Sequence, residues 1–257
     1  MSELRRHLLG SRIAGDVATP REDNLRNMVR MSRGMPGYDF GIVPSRERTG
    51  EEVLDVMVRR CGVRADPGYV AGPDTIDVDL CLAALDRVRD RIALAGQRRE
   101  RVLLATGHPT GILVLHLAMA AALRAAGATV LVPALQWEWP WGDEVRDGRR
   151  PRHVRALSGV HVLACGGDLL HTHAPEPGRA LLGALDAPPD LVVADHGWAG
   201  AAAQAGLPVL GFADCNDPAL FVGEQDGLDL VVVPLDDNVA PHLYDPVAEH
   251  LVSGLLR

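Results

Sequence analysis

From residue 101 onward, short apolar runs alternate with helix-like segments, and this alternation constrains the fold more than any other feature of the sequence. The apolar runs lie at residues 101–106, 129–133, 160–165, 190–194, 208–212 and 228–233. Continuous apolar strands that alternate with helices are typical of a parallel sheet covered on both faces. We therefore predict an α/β protein with a Rossmann-like, doubly wound, mostly parallel sheet.

The first hundred residues have a different pattern. Residues 51–61 and 79–95 have the apolar periodicity of amphipathic helices, whereas residues 1–44 contain no clear strand. We predict a helical N-terminal arm (1–100) packed on a Rossmann-like core (101–257), the two forming one structural domain. Residues 135–152 are rich in Trp, Pro and Gly and predict an excursion from the sheet, with 146–152 as its mobile part.

Composition excludes several functions. All 26 basic residues are arginine, so chemistry that depends on a lysine Schiff base or a phosphate-binding P-loop lysine is excluded. The net charge of −8 argues against nucleic acid or an anionic membrane as a partner. Neither a secretory signal nor a membrane-spanning apolar run is visible, and the four cysteines form no CxxC pair. We expect a cytoplasmic protein.

Polar residues follow five of the predicted strands. In chain order these strand ends are Gly107 to Gly111, Asp168 with His171 and His173, Asp195 with His196, Asp214 with Asn216 and Asp217, and Asp236 with Asp237 and Asn238. In doubly wound sheets, ligands bind outside the carboxyl ends of the strands. Each Asp alone could simply cap a helix, but five such ends predict a ligand site along one edge.

The turn at residues 107–111 joins a strand to a helix N-terminus, where free N–H groups favour an anion. We predict that Gly107, Thr110 and Gly111 bind phosphate and that His108 transfers a proton. The alternative is a tight turn in which Thr110 only caps the helix.

Metal ligands are predicted on the next strand ends. Carboxylate, amide and imidazole groups together suit a divalent cation, here Mg, Mn or Zn. The predicted ligands are Asp168, His171, His173, Asp214, Asn216 and Asp217. The alternative for the His-rich segment is a solvated loop. Asp195 and His196 are further catalytic candidates, with His196 as a second group for proton transfer or, alternatively, a helix cap.

The segment 12–24 is rich in Arg, Asp and Asn and has little apolar periodicity. We expect it to cross the active edge and to bring Arg12 or Arg21 to a phosphate or carboxylate. The alternative is an exposed linker.

Four segments carry a resemblance to a known family: RIAGDVATPR (12–21), ATGHPTG (105–111), ADHGWAG (194–200) and GFADCNDP (211–218). They resemble an actinobacterial family whose members are labelled phosphatases, and the similarity extends along the full chain. Residues 190–218 also resemble part of a Rossmann-like ribosomal protein family, which supports the fold only.

These observations lead to one hypothesis about function. We expect a phosphoric-monoester hydrolase that acts on a small phosphometabolite with the help of a divalent metal ion. Two alternatives stay open: a transferase or isomerase that binds a nucleotide or sugar phosphate, and a non-catalytic ligand-binding module. A small-molecule phosphate ester is the expected partner, and a homodimer is also open.

Overall fold

The computed structural model describes residues 1–138 and 151–255 of the chain. Its strands are β1 (Gly15–Pro20), β2 (Pro73–Ile76), β3 (Arg101–Thr106), β4 (Thr129–Val130), β5 (Arg152–Leu157), β6 (Val160–Cys165), β7 (Asp168–Leu170), β8 (Leu191–Asp195), β9 (Val209–Ala213) and β10 (Leu230–Pro234). Its helices are α1 (Glu3–Gly10), α2 (Arg21–Ser32), α3 (Gly50–Arg60), α4 (Val78–Arg98), α5 (Leu113–Ala125), α6 (Glu176–Gly183), α7 (His196–Gln204), α8 (Pro218–Gln225) and α9 (Asp245–Val252). The chain is thus an α/β protein.

The central sheet is mostly parallel, as predicted. Its strand order is β10-β9-β8-β3-β6-β5, and β4 also pairs with β3 while β7 pairs with β6. Strands β10, β9, β8, β3, β4 and β6 run parallel, whereas β5 and β7 run antiparallel to β6. The carboxyl ends of β3, β8, β9 and β10 therefore face the same edge of the sheet.

The middle of the sheet is buried on both faces. All residues of β8 and β9 are buried, which explains why these strands read as continuous apolar runs. In α7, the residues from His196 to Ala203 are also all buried, and the backbone of Phe40 lies against Gly200. Small residues allow this close approach, so part of the N-terminal hundred residues covers the helices of the core.

The N-terminal hundred residues are not purely helical, and the expectation that residues 1–44 contain no strand is wrong. Strands β1 and β2 form an antiparallel pair in which Gly15 lies opposite Ile76 and Asp16 opposite Thr75. The two partners are about sixty residues apart along the chain, and the register shifts between Asp16 and Pro20. Neither strand has the regular alternation of apolar and polar residues by which a strand can be recognised from its sequence. The pair carries residues 17–20 to the edge of the central sheet.

The segment predicted to leave the sheet at 135–152 is described only in part. Strand β5 begins at Arg152 and pairs with β6, and Glu138 forms an isolated bridge with His153. Residues 139–150, with most of the stretch predicted to be mobile, lie outside the described residues. Among residues 1–138 and 151–255, no helix is both long and apolar enough to cross a membrane.

Candidate metal-binding active site

A cavity of about 490 Å³ opens at the carboxyl edge of the sheet. Strand β1 and helix α2 form one wall, and the residues that follow β3, β7, β8, β9 and β10 form the others. The lining side chains are mainly acidic groups and imidazoles, supplied by Asp23, Asp214, Asp217, Asp236, Asp237, His108, His171, His173 and His196, with Thr19, Asn27, Thr110, Asn216 and Asn238 beside them.

Four imidazoles contact one another in this cavity. The ring centroids of His108 and His171 are 4.4 Å apart, those of His171 and His173 4.8 Å, and those of His173 and His196 4.9 Å. Desolvation, followed by the charges of the neighbouring imidazoles, lowers the pKa of His171 to about 3. Burial likewise lowers the pKa of His173. These two rings are therefore neutral near pH 7 and offer lone pairs.

Hydrogen bonds fix how two of the rings are oriented. The Nδ1 atom of His173 lies 3.0 Å from the carbonyl oxygen of Gly37, and Nδ1 of His196 lies 2.7 Å from Oδ1 of Asp195. Both partners can only accept, so each Nδ1–H donates and each Nε2 faces the cavity. Metal-binding histidines are held in this way by a carbonyl or carboxylate behind the ring.

The Nε2 atom of His196 faces two carboxylates. It lies 3.4 Å from Oδ2 of Asp217 and 3.6 Å from Oδ2 of Asp237. Burial lowers the pKa of His196, but the carboxylates of Asp217 and Asp195 outweigh it and raise that pKa well above the ordinary value. A positive charge between Nε2 and these carboxylates is therefore favoured, and either a proton or a metal cation can supply it.

Asp195 connects three parts of the site. Its side chain is fully buried, and its Oδ1 accepts hydrogen bonds from the N–H of Gly107 (2.7 Å) and from His196. Its Oδ2 lies 3.5 Å from Nε2 of His116 in α5. Burial raises the pKa of Asp195, but its hydrogen bond and charge interaction with His196 outweigh this and lower the pKa to about 2. Asp195 is thus ionised and orients His196.

Three buried carboxylates form a second group next to the imidazoles. Oxygens of Asp214, Asp236 and Asp237 all lie within 4.8 Å of one another. Asp214 accepts from the hydroxyl of Thr19 (2.6 Å) and the N–H of Cys215 (2.6 Å). Burial, together with repulsion from neighbouring carboxylates, raises the pKa of Asp214 well above its usual range. Burial is also the main reason that the pKa of Asp236 is raised.

His108 stands between the two groups. Its Nδ1 lies 3.2 Å from Oδ2 of Asp237, and its side chain is almost entirely buried. Burial lowers the pKa of His108, but the carboxylate of Asp237 outweighs this and leaves the pKa above its usual value. A proton can therefore be held on His108 at the cavity wall.

Two comparisons with known proteins bear on this site. A family model described as Phosphatase matches residues 1–256 of the chain. The chain belongs to the Phosphatase family. It is also 46% identical over 258 aligned residues to the protein named Phosphatase SCO2771 of Streptomyces coelicolor, an alignment that covers 98% of this chain and 95% of that protein. The resemblance expected from the four sequence segments is confirmed.

In this Phosphatase-family chain, four of the five polar strand ends lie at the predicted edge of the sheet. His108, Asp195, Asp214 and Asp236 all follow strands that end at the same edge. Asp168 does not, and its prediction as a metal ligand needs correction. It is exposed and pairs with Cys165 in the β6–β7 hairpin. Strand β6 continues past the carboxyl end of β3, and β7 runs back along β6 toward that edge. The turn of this hairpin therefore holds Asp168 outside the cavity, whereas the residues that follow β7, His171 and His173, reach the site.

The predicted phosphate-binding set also needs correction. Thr110 is exposed and lines the cavity, but Gly107, Gly111, Arg12 and Arg21 do not. The N–H of Gly107 is bonded to Asp195, and its carbonyl accepts from Thr172 at 2.9 Å. Gly107 therefore links the end of β3 to the end of β8 and to the segment after β7, and it does not line the cavity.

The two arginines have internal partners. Arg21 is completely buried, donates to Asp74 at 2.8 Å, and also donates to the carbonyls of Tyr69 and Asp66. Arg12 donates to the carbonyls of Asp16 and Val17. Both arginines fix backbone near β1. Of the described residues that line the cavity, none is arginine or lysine.

Sequence reasoning missed several members of the site. Thr19 reaches Asp214 only because β1 pairs with a distant strand. Asp236 and Asp237 had been recognised as a polar strand end but given no role. His116 offered a local signal, a single imidazole within the apolar helix α5, and it lies behind Asp195.

Gly111 provides a test of the packing. A Cβ atom built on Gly111 overlaps the carbonyl oxygen of Asp237. We expect Gly111→Ala to displace the segment after β10 and to lower the free energy of unfolding by about 1–3 kcal/mol, the usual cost of overpacking. Gly183→Ala is the matched control, because nothing lies near a Cβ there. Equal stability of the two variants in urea denaturation would contradict the close contact.

Proposed function

We propose that the protein is a metal-dependent phosphoric-monoester hydrolase that acts on a small phosphometabolite. One observation carries the proposal: five aspartates and four histidines line the cavity, and no arginine or lysine of the described chain does. A phosphate dianion would be repelled by such a surface unless cations were bound there. Membership of the Phosphatase family and the name of the Streptomyces relative support the same reaction.

The imidazole group fits a divalent cation. The ligand atoms of His173, His196 and Asp217 lie within 4.8 Å of one another, and two of the rings are already oriented by their Nδ1 bonds. The ring of His171 borders both. When bound, a cation at this position would neutralise phosphoryl charge and make water a stronger nucleophile.

The remaining polar groups are assigned by where they lie. His108 would protonate the leaving oxygen, since it sits at the cavity wall beside Asp237, which favours its protonated form. Thr110, exposed at the cavity, would donate to a phosphoryl oxygen. Asp195 would hold His196 in one tautomer without touching the substrate.

The size of the cavity supports a small substrate. Its volume of about 490 Å³ is within the range of about 300–1,000 Å³ that is usual for small-molecule sites.

The parallel sheet with ligand groups at its carboxyl edge supports the Rossmann-like assignment of the fold. Cys61, Cys81 and Cys215 are free thiols, which is what a reducing compartment such as the cytoplasm favours.

Metal removal tests the proposal. We expect exhaustive chelation, followed by removal of the chelator, to abolish hydrolysis of p-nitrophenyl phosphate and of a phosphometabolite panel. Added Mg²⁺, Mn²⁺ or Zn²⁺ should restore turnover. It should also raise the melting temperature, because a ligand present at 100 times its Kd adds about 2.7 kcal/mol to the free energy of unfolding.

Two outcomes would contradict the proposal. Full activity after chelation, with no metal found by elemental analysis, would exclude the metal-dependent mechanism. Failure to hydrolyse any phosphate ester with any of the three metals, while inorganic phosphate still binds, would instead favour a non-catalytic binding module.

A further inference from the structure

We propose that His116 is a positioning residue: its Nε2–H holds the buried carboxylate of Asp195, and Asp195 in turn holds His196 with Nε2 toward the cavity. The three side chains then form one chain of contacts that leads from helix α5 to the imidazole group. The inference rests on the proposed function in so far as His196 would be a metal ligand. The step from His116 to Asp195 can be tested on the metal-free protein.

His116 and Asp195 meet where water does not reach. Both side chains are completely buried, and Nε2 of His116 lies 3.5 Å from Oδ2 of Asp195. Neither atom has a hydrogen bond to another group of the described residues. Because buried polar atoms are nearly always paired, each is the available partner of the other. A shift of a few tenths of an ångström brings the contact into the usual range of an N–H···O hydrogen bond.

The surroundings of His116 favour a neutral ring. Burial lowers the pKa of His116 and outweighs the charge of Asp195, which raises it. His116 also lies near the N-terminus of α5, where the helix dipole disfavours a positive charge. A neutral imidazole has a single N–H, so one ring nitrogen donates and the other does not.

The proton of His116 belongs on Nε2. Its two ring nitrogens face two acceptors, since Nε2 faces the Asp195 carboxylate and Nδ1 lies 3.1 Å from the carbonyl oxygen of Ile112. The carbonyl already accepts the backbone N–H of Leu115 at 3.0 Å. Hydrogen bonds to a charged group are roughly twice as strong as neutral ones, so the carboxylate is the better acceptor. A bare Nε2 would instead direct its lone pair at a buried anion.

A donor at Oδ2 complements the bonds at the other oxygen of Asp195. Oδ1 accepts from the backbone N–H of Gly107 and from Nδ1 of His196, both at 2.7 Å. The hydroxyl of Thr106 is a further neighbour of Asp195. With a partner at each oxygen, the carboxylate cannot rotate without losing hydrogen bonds. Because neutral His116 donates without adding a charge, Asp195 keeps its full negative charge for His196.

Loss of the imidazole would remove this constraint. In His116→Leu, Oδ2 of Asp195 would be a buried acceptor without its partner, which is costly for an ionised carboxylate. The carboxylate would then take up a proton or turn, and in either case its hydrogen bond with Nδ1 of His196 would weaken. His116→Gln keeps an N–H donor on a side chain of similar reach and should preserve the contact.

Proton and ¹⁵N NMR of the metal-free protein tests the first step. We expect Nε2 of His116 to be protonated in the wild type, and Nδ1–H of His196 to give a downfield proton signal because it is bonded to Asp195. His116→Leu should shift or abolish the His196 signal, and His116→Gln should retain it. His161→Leu is the matched control, because His161 is a buried imidazole whose Nδ1 contacts a backbone carbonyl.

Zinc affinity tests the second step. Loss of a residue behind a metal ligand typically lowers metal affinity about 10–100-fold. By titration calorimetry with Zn²⁺, we expect His116→Leu to lie at the lower end of this range, about tenfold weaker than the wild type, because His116 acts through Asp195. His116→Gln should recover most of the affinity, and His161→Leu should bind like the wild type.

Three results would overturn the inference. An unprotonated Nε2 on His116 in the wild type would remove the donor. An unchanged His196 signal in folded His116→Leu would mean that Gly107 and Thr106 hold Asp195 without help. Equal effects of His116→Leu and His116→Gln on that signal would assign His116 a packing role only.

These results are separate from the fate of the proposed function. If the wild type binds no Zn²⁺, Mg²⁺ or Mn²⁺, the proposed metal site fails, and the proton signals of the metal-free protein still decide the role of His116. If His116→Leu does not fold by circular dichroism, His116→Met takes its place. The protonation of Nε2 in the wild type remains decisive in either case.

Discussion

Replacing His108 with glutamine should slow the hydrolysis of alkyl phosphates by about 10²–10⁴-fold, the usual contribution of a general acid. The alkoxide leaving group needs a proton as it departs, and His108 is the imidazole whose pKa the neighbouring Asp237 holds above its usual value. The hydrolysis of p-nitrophenyl phosphate should be slowed far less, because its leaving group departs as a stable anion that needs no proton. The measurement is kcat for both substrates under saturating metal.

The difference between the two substrates separates proton transfer from other roles of His108. If His108 were instead a metal ligand, His108→Gln would slow both substrates equally and would lower metal affinity. His242→Gln, at an exposed position, is the matched control and should leave both rates unchanged. Equal losses for alkyl and aryl substrates would exclude the general-acid role.

Replacing Arg21 with methionine should lower the free energy of unfolding by about 3–5 kcal/mol and leave the KM for a phosphate ester nearly unchanged. The guanidinium and the carboxylate of Asp74 are both inaccessible to solvent. Removing the arginine would therefore leave a buried, uncompensated carboxylate. Urea denaturation gives the stability, and steady-state kinetics give KM.

Two further variants complete the test of Arg21. Arg26 lies on the same helix as Arg21 and forms an exposed ion pair with Asp23. Arg26→Met should therefore lower the free energy of unfolding by no more than about 1 kcal/mol. Arg21→Met combined with Asp74→Asn should recover part of the loss, since the stranded charge is gone. A stable Arg21→Met protein with a strongly raised KM would restore the phosphate-binding role predicted from sequence.

Local sequence determined the class of the core. Continuous apolar runs such as those at β8 and β9 can be read directly, because a strand buried on both faces needs no alternating pattern. Parallel pairing then places the residues that follow the strands at one edge, so the sequence predicts that His108, Asp195 and Asp214 lie together. The absence of lysine likewise excluded whole classes of chemistry.

Tertiary structure decided which polar residues belong to the site. Arg21 looked available to a ligand, but Asp74, 53 residues away in sequence, buries it in an ion pair. Asp168 looked like a metal ligand until the β6–β7 hairpin placed it outside the cavity. Gly111 looked open to phosphate, yet the carbonyl of Asp237 lies against it. The contacts of Arg21 and Gly111 join segments that are distant in the sequence, and the position of Asp168 depends on how far β6 extends beyond β3, so no local pattern of residues encodes these outcomes.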